Sequence, residues 1–386
     1  MSHYNNNDGI AIVKENKKVW LALGIIIFFV YFFCAARPVP LETVLVPRWL
    51  VSLESGKPMY LGDNPMPGAE GEDQGQKLAN SPPAPFELGS RFGFFDHDGN
   101  FSINQIKKAH VSLSAERWAE YDAEPENIAV RDSKGEVLTV IEHPRGYPFF
   151  LDNRTFLIGS EQNAISEIGD SGEILWTYEF SSPLTCVDAA AGLVLAGSLD
   201  GIAAVLDSGG KQVLSFEPCG SRYSIILGCA ISRDGSRLAL ISGIDDQRFL
   251  LLERFGTSVS DYKVIYHEFL NGDFRRVVYI SFIEEDRWIM FERNGGLGFF
   301  DLVSRQLSKV ELPGDISAID HSGGHGLVFA VVSLQRDAKE LVGIRLPGRV
   351  IIEAPFKSEE VFLERHNSRL FIGGQQTMVS FDLHKK

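Results

Sequence analysis

The stretch RFGFFDHDGNFS, residues 91–102, holds the densest group of side chains that could do chemistry. Asp96, His97 and Asp98 stand in a row before Gly99, and carboxylates with an imidazole can bind metals or exchange protons. A calcium loop of the EF-hand type needs oxygen ligands at positions 1, 3 and 5, glycine at 6 and glutamate at 12. Counted from Asp96, glycine comes at position 4 and Lys107 at position 12. The spacing therefore does not predict a calcium site.

The same stretch has a second copy without the acidic residues. Residues 296–308 read GLGFFDLVSRQLS and repeat Gly-Phe-Phe-Asp, but Leu302, Val303 and Ser304 replace the His-Asp-Gly that follows. Paired catalytic carboxylates would also need a cleft, whereas Asp-Gly is typical of a solvated turn. We therefore interpret the stretch as a strand, a tight turn and a second strand.

No other segment makes a stronger case for catalysis or metal binding. His321 and His325 lie in HSGGHG, which the glycines mark as a turn, and the other histidines are scattered. We find no GxSxG, HExxH or phosphate-binding loop. The sequence therefore predicts a protein that is not an enzyme, with no catalytic residues, no metal and no cofactor.

The bulk composition narrows the class of partner. The 386 residues carry 51 acidic and 37 basic side chains, a formal net charge of −14. A nucleic-acid binder needs a basic surface, so nucleic acid is excluded as a partner. The cysteines show no zinc spacing; Cys219 and Cys229 are the nearest pair for a disulfide, and the alternative is that Cys186, Cys219 and Cys229 are small buried side chains.

The N-terminal region contains an apolar run. Residues 19–36, VWLALGIIIFFVYFFCAA, are uncharged and follow three lysines, which predicts a transmembrane signal anchor with residues 1–18 in the cytoplasm. The residues after this anchor would then be extracytoplasmic, and in a diderm bacterium they would lie in the periplasm. A cleaved signal peptide and a lipidated Cys34 are the alternatives. Residues 37–90 are predicted to be a largely disordered tether, although ETVLVPRWLVSL within it could form a strand or a short helix.

Internal repeats follow the tether. Residues 126–142, 163–180 and 201–217 each contain an alternating strand, a tight turn built from Asp, Ser and Gly, and a second alternating strand. Leu138, Leu175 and Leu214 occupy matching places. A second hairpin recurs at CVDAAAGLVLA, residues 186–196, and at CAISRDGSRLA, residues 229–239. Units of roughly 35 to 50 residues with four short strands each are typical of β-propeller blades.

Two hairpins carry a resemblance to known propellers. SRDGSRLA, residues 232–239, resembles the inner hairpin of WD40-like blades, and DSGEILWTYEF, residues 170–180, resembles the outer hairpin of PQQ-like blades. No unit has the Trp-Asp pair of WD40 repeats. The resemblance implies an all-β propeller over residues 91–386, for which we predict seven blades, with six or eight as alternatives. The last unit shows three strands, so we predict that the hairpin of residues 91–106 supplies its outer strand.

The predicted function is a protein–protein interaction scaffold. Binding residues would lie on the loops that enter each inner strand, and Arg and Tyr are common interface anchors. The candidates are Arg145, Tyr147, Arg222, Tyr223, Arg275 and Arg276. Outer-membrane assembly factors include a PQQ-like propeller, so the resemblance implies envelope or membrane proteins as partners. The alternatives are a sensor with a small ligand in the central channel and a propeller enzyme of the quinoprotein or lactonase type.

Overall fold

The computed structural model describes residues 43–61, 82–256, 258, 260–272 and 274–385. Their regular secondary structure is entirely β-strand, arranged in eight sheets. The first strands of most successive sheets contact one another, hydrophobic clusters join the remaining neighbours, and the last sheet contacts the first, so the sheets are the blades of a closed propeller.

The strands are numbered along the chain. The blades are numbered in chain order from the sheet of residues 84–106, so the sheet that contains both the first and the last strands of the chain is blade 8. The N-terminal strands β1 (Thr43–Ser52) and β2 (Pro58–Tyr60) belong to blade 8. Blade 1 holds β3 (Ala84–Leu88), β4 (Arg91–Phe95) and β5 (Phe101–Ile106). Blade 2 holds β6 (His110–Leu113), β7 (Arg117–Tyr121), β8 (Asn127–Asp132) and β9 (Val137–Glu142). Blade 3 holds β10 (Gly146–Leu151), β11 (Arg154–Gly159), β12 (Ala164–Ile168) and β13 (Ile174–Glu179). Blade 4 holds β14 (Leu184–Ala190), β15 (Leu193–Ser198), β16 (Ala203–Leu206) and β17 (Gln212–Phe216).

The remaining blades continue the pattern. Blade 5 holds β18 (Ile226–Ile231), β19 (Arg237–Ser242), β20 (Arg248–Arg254) and β21 (Tyr262–Phe269). Blade 6 holds β22 (Ile280–Ile283), β23 (Trp288–Arg293), β24 (Gly296–Asp301) and β25 (Gln306–Glu311). Blade 7 holds β26 (Asp315–Asp320), β27 (Leu327–Ser333), β28 (Ala338–Arg345) and β29 (Arg349–Lys357). Blade 8 adds β30 (Phe362–His366), β31 (Arg369–Gly374) and β32 (Thr377–Lys385) to β1 and β2.

A recurring turn explains why the outer hairpins repeat. In blades 1, 2 and 4 the turn begins with an aspartate whose carboxylate accepts the backbone N–H groups two and four residues later. A glycine with positive φ follows three residues after each aspartate, a conformation that glycine adopts with little strain. The aspartates are Asp96, Asp132 and Asp207. The structural interpretation of RFGFFDHDGNFS is confirmed, because Asp96 is the acceptor that holds its turn.

The hydrogen bonds of blade 1 identify which strands it contains. In blade 2, the residue after the fourth strand, His143, donates its N–H to Glu126 O in the turn between the second and third strands. In blade 1, the residue after β5, Lys107, donates its N–H in the same way to Ser90 O, in the turn between β3 and β4. The three described strands of blade 1 therefore match the second, third and fourth strands of a blade.

The ring is closed by β1, which pairs with β32 as the fourth strand of blade 8. Trp49, Val51 and Leu53 alternate along this segment and are buried with Phe95 of blade 1 and Phe371 of blade 8. The prediction that the hairpin of residues 91–106 completes the last blade is wrong. That hairpin lies in blade 1, because the apolar alternation of β1 fills the outer position of blade 8 instead.

Two further predictions are corrected by this arrangement. The propeller has eight blades rather than seven, because β3, β4 and β5 form a separate sheet. Residues 43–61 and 82–90 are parts of the propeller, so the predicted tether of residues 37–90 is wrong over those ranges. Alternating apolar side chains let both segments pair with neighbouring strands.

The predicted transmembrane helix, residues 19–36, lies outside the described residues. Within the described residues no helix is long and apolar enough to cross a membrane. The fold prediction of a propeller behind one such helix is therefore corrected to an eight-bladed all-β propeller. The membrane-anchored location that the helix implied is not supported by the structure.

Candidate interaction face

The candidate partner-binding residues lie at one end of the ring, here called the entry face, where the chain leads into the first strand of most blades. Arg145 and Tyr147 lead into or begin β10, Arg222 and Tyr223 precede β18, and Arg275 and Arg276 precede β22. The structure therefore places all six residues on the same face, but on three different blades.

Four of the six lie on the neighbouring blades 5 and 6, and two exposed aliphatic side chains lie on the same face, on blades 4 and 6. We call this set the entry-face patch; it contains Leu199, Arg222, Tyr223, Arg275, Arg276 and Val277. Leu199, Tyr223 and Val277 are each about half exposed, at 47%, 53% and 49%. Sequence reasoning missed Leu199 and Val277, because single aliphatic residues in loops carry no recognisable pattern.

Hydrogen bonds and close packing connect the loops of blades 4, 5 and 6 that carry the patch. Leu199 N–H donates to Pro183 O, which puts the blade 4 turn on the entry face. A side chain on Gly201 would come within 2.5 Å of Ser224 O, so that turn packs directly against blade 5. The Gln247 amide then donates to Phe274 O at 2.7 Å, which connects blade 5 to the loop that leads into blade 6.

The arginines of the patch have different partners. The Arg222 guanidinium lies 5.5 Å from the centre of the Tyr223 ring, a cation–π geometry. Arg276 donates to the buried Glu292 carboxylate at 2.9 Å and stacks on Phe274 at 4.8 Å. Glu292 raises the pKa of Arg276 by hydrogen bonding and charge. Arg222 and Arg275 make no ion pair within the described residues, so their charges are available to a partner.

The carboxylates beside the patch are already used by the protein. Asp245 accepts hydrogen bonds from the Ser221 hydroxyl and from Arg222 N–H. The Ser221 hydrogen bond lowers the pKa of Asp245 to about 2. Asp200 similarly accepts hydrogen bonds from Ser181 and Ser198. The loops are thus fixed internally, while the two arginines face solvent.

Arg145 and Tyr147 belong to a separate site between blades 2 and 3. They line a cavity of about 340 Å³ with Glu124, Glu126 and His143. The Tyr147 ring lies 5.8 Å from that of Tyr121. Arg145 and Tyr147 lie on blade 3, whereas the other four candidates lie on blades 5 and 6, so the structure does not bring all six together.

Beneath the patch, a cavity of about 480 Å³ lies among the first strands of blades 4 to 7. Its lining includes Cys186, Cys229, Arg276, Tyr279 and Glu292. The sulfur atoms are free thiols, and so is that of the exposed Cys219, so the expectation that all three cysteines are buried is wrong for Cys219. Within the described residues no group of three or more potential ligands is arranged to hold a metal ion.

The HSGGHG segment forms the turn that its glycines predict. His321 shares a hydrogen bond with the Tyr279 hydroxyl at 2.8 Å, and burial lowers the pKa of His321. Beside it, burial and the negative charge of Glu364 raise the pKa of Asp320 to about 6. Asp320 accepts hydrogen bonds from Ser322 and is 7% exposed.

The Asp320 carboxyl predicts a pH-dependent stability. Because its pKa is raised in the fold, the folded state favours the protonated acid and gains stability as pH falls from about 6 towards 3.8. We expect D320N to raise the free energy of unfolding by up to about 3 kcal/mol at pH 7.5 and to change it little near pH 4. Urea unfolding of both proteins across this range measures the difference. An equal effect of D320N at both pH values would contradict the prediction.

Comparisons with known proteins agree with the architecture. A sequence profile described as "beta-propeller protein" matches residues 11–386. The chain belongs to this β-propeller family. An uncharacterized protein of Treponema pallidum (strain Nichols) is 25% identical over 373 residues, which cover 96% of this chain and 95% of the relative.

Solved structures share the fold at low sequence identity. The crystal structure of BamB from Moraxella catarrhalis matches with a TM-score of 0.55 and 13% identity, over 88% of this chain and 98% of the BamB chain. The computationally designed Ika8 protein matches with a TM-score of 0.56 and 15% identity, over 80% of this chain and 98% of the Ika8 chain. Chaetomium thermophilum Raptor matches with a TM-score of 0.51 and 12% identity, over 78% of this chain and 29% of the Raptor chain. At these identities the likeness concerns the fold alone.

Proposed function

We propose that this propeller is a non-enzymatic scaffold that binds another protein through the entry-face patch. The observation that carries the proposal is a group of exposed arginine, tyrosine and aliphatic side chains on one face of three neighbouring blades, in a protein whose net charge is −14. Such surfaces are typical of protein interfaces, where Tyr and Arg dominate binding energies. The matching partner surface is acidic and carries apolar side chains that cover Tyr223 and Val277.

The partner class follows from the repeat resemblance. PQQ-like propellers occur in outer-membrane assembly factors. The fold likeness to BamB supports proposing partners of the same class. We therefore propose envelope or membrane proteins as the partners. The entry-face patch is the surface through which we propose that such a partner binds.

The test is quantitative capture by the immobilised full-length protein, followed by mass spectrometry. We expect R222E/R275E to reduce recovery of the specific partners at least tenfold, because two exposed cations would become anions facing an acidic surface. The matched control is R336E, which changes an arginine that is 87% exposed, in the turn between β27 and β28 of blade 7 and outside the defined patch. Unchanged recovery by R222E/R275E, with the fold intact by circular dichroism, would overturn the proposal.

A further inference from the structure

A second exposed apolar surface lies on the outside of the ring, away from the entry-face patch. The outer strands of blades 2 and 3, β9 and β13, carry five large aliphatic side chains that are 42–57% exposed. We call them the rim patch; they are Val137, Leu138, Val140, Ile174 and Leu175. The blades meet here, because a side chain on Gly172 would come within 2.1 Å of Val140 O. Exposed large aliphatic side chains grouped at a junction between two blades are typical of an interaction site.

The strand edges at the rim patch differ. Gly172 of blade 3 covers β9 at Val140, whereas β13 is the outermost strand of its sheet. Phe180 N–H donates to Asn163 O, so Phe180 directs its backbone groups towards β12. Because alternate residues of an antiparallel strand direct their backbone groups to opposite sides, those of Thr177 and Glu179 are directed away from β12, to the outer edge of the sheet. The edge of β13 therefore offers backbone donors and acceptors to an added strand.

The charges around the rim patch select the occupant. Exposed carboxylates flank it, and none makes an ion pair within the described residues; they are Glu136, Glu142, Glu173 and Glu179. Lys134 is the one basic residue within the ranges 134–142 and 170–179. A second copy of this chain would bring like charges together, which disfavours it. A partner with lysine or arginine between apolar residues would complement the surface.

We propose that the rim patch binds an extended, basic and apolar segment of a partner protein, which adds as a strand to the open edge of β13. Its backbone would pair with Thr177 and Glu179. Its apolar side chains would cover Ile174, Leu175 and the neighbouring side chains of β9. Its basic side chains would reach the flanking glutamates.

The probe is a fluorescein-labelled ten-residue peptide that alternates valine and lysine, titrated against the full-length protein by fluorescence anisotropy. We expect I174S/L175S to weaken binding at least tenfold, and V264S, on the outer strand β21 of blade 5 and 41% exposed, to leave it within twofold. A peptide N-methylated at alternate residues should lose binding at least tenfold, because it cannot pair with a strand edge. A valine–glutamate peptide should not bind.

Several results would overturn the proposal. Wild-type affinity of I174S/L175S would show that the peptide binds elsewhere, and wild-type affinity of the N-methylated peptide would exclude strand addition. A dimer, seen by sedimentation, that dissociates in I174S/L175S would assign the rim patch to a second copy instead. R222E/R275E should keep its peptide affinity, so failure of the entry-face proposal can be distinguished from failure of this one.

Discussion

Replacing Trp49 by alanine is expected to lower the free energy of unfolding by about 3–5 kcal/mol, because it removes a large buried side chain and leaves a cavity. Trp49 is 1% exposed, and its ring lies 6.2 Å from that of Phe95 and 5.8 Å from that of Phe371. Its indole N–H donates to His97 O at 3.0 Å. One side chain of β1 thus joins blade 8 to the turn of blade 1, at the point where the ring closes.

The control for W49A is Y60A on the neighbouring strand β2, where the ring is 60% exposed. Urea unfolding, followed by circular dichroism, should show a change of less than about 1 kcal/mol for Y60A. A W49A protein as stable as Y60A would contradict the assignment of β1 as the strand that closes the ring.

Replacing Arg365 by methionine is the second large expected effect, a loss of at least about 3 kcal/mol in the free energy of unfolding. Arg365 is 1% exposed and has no carboxylate partner at hydrogen-bond distance within the described residues. Its guanidinium instead donates to four backbone carbonyls, those of Gly323, Gly324, Leu327 and Asn367. Methionine fills much of the volume but leaves these buried acceptors without a donor.

The matched control is R336M, which changes an arginine that is 87% exposed and should lower stability by less than about 0.5 kcal/mol. Because Arg365 holds the HSGGHG turn, R365M should also speed hydrogen exchange of the amides of residues 322–326. Normal exchange there, with normal urea unfolding, would show that the four hydrogen bonds contribute little to stability.

The repeats allowed the architecture to be predicted, because each blade is built from short-range pairings. The aspartate of the outer turn bonds N–H groups two and four residues away, and consecutive strands pair with their neighbours in sequence. Such contacts leave a signature at a fixed period. Asp96 was interpreted correctly for this reason, by comparison with a second copy of the same hairpin.

The blade number and the closing strand could not be predicted in the same way. Arg48 of β1 pairs with Asp382 of β32, 334 positions away along the chain. The apolar alternation of residues 43–53 predicts a strand but does not show which strand it pairs with. Their position after a predicted membrane segment suggested a tether. In the structure, the packing of Trp49 with Phe95 and Phe371 places this strand at the outer edge of blade 8, against blade 1.

For the candidate sites too, short-range features could be predicted from the sequence and long-range ones could not. The sequence by itself determined that entry loops carry arginine and tyrosine, that no catalytic motif is present, and that the strands alternate. Only the tertiary structure placed Tyr223 and Val277 on neighbouring blades, separated Arg145 from both, and left Ile174 and Leu175 exposed while Leu214, at a matching position in the next repeat, packs against the core. The reason is physical: a repeat fixes how each blade folds, whereas the exposure of a side chain depends on which neighbouring blade packs against it.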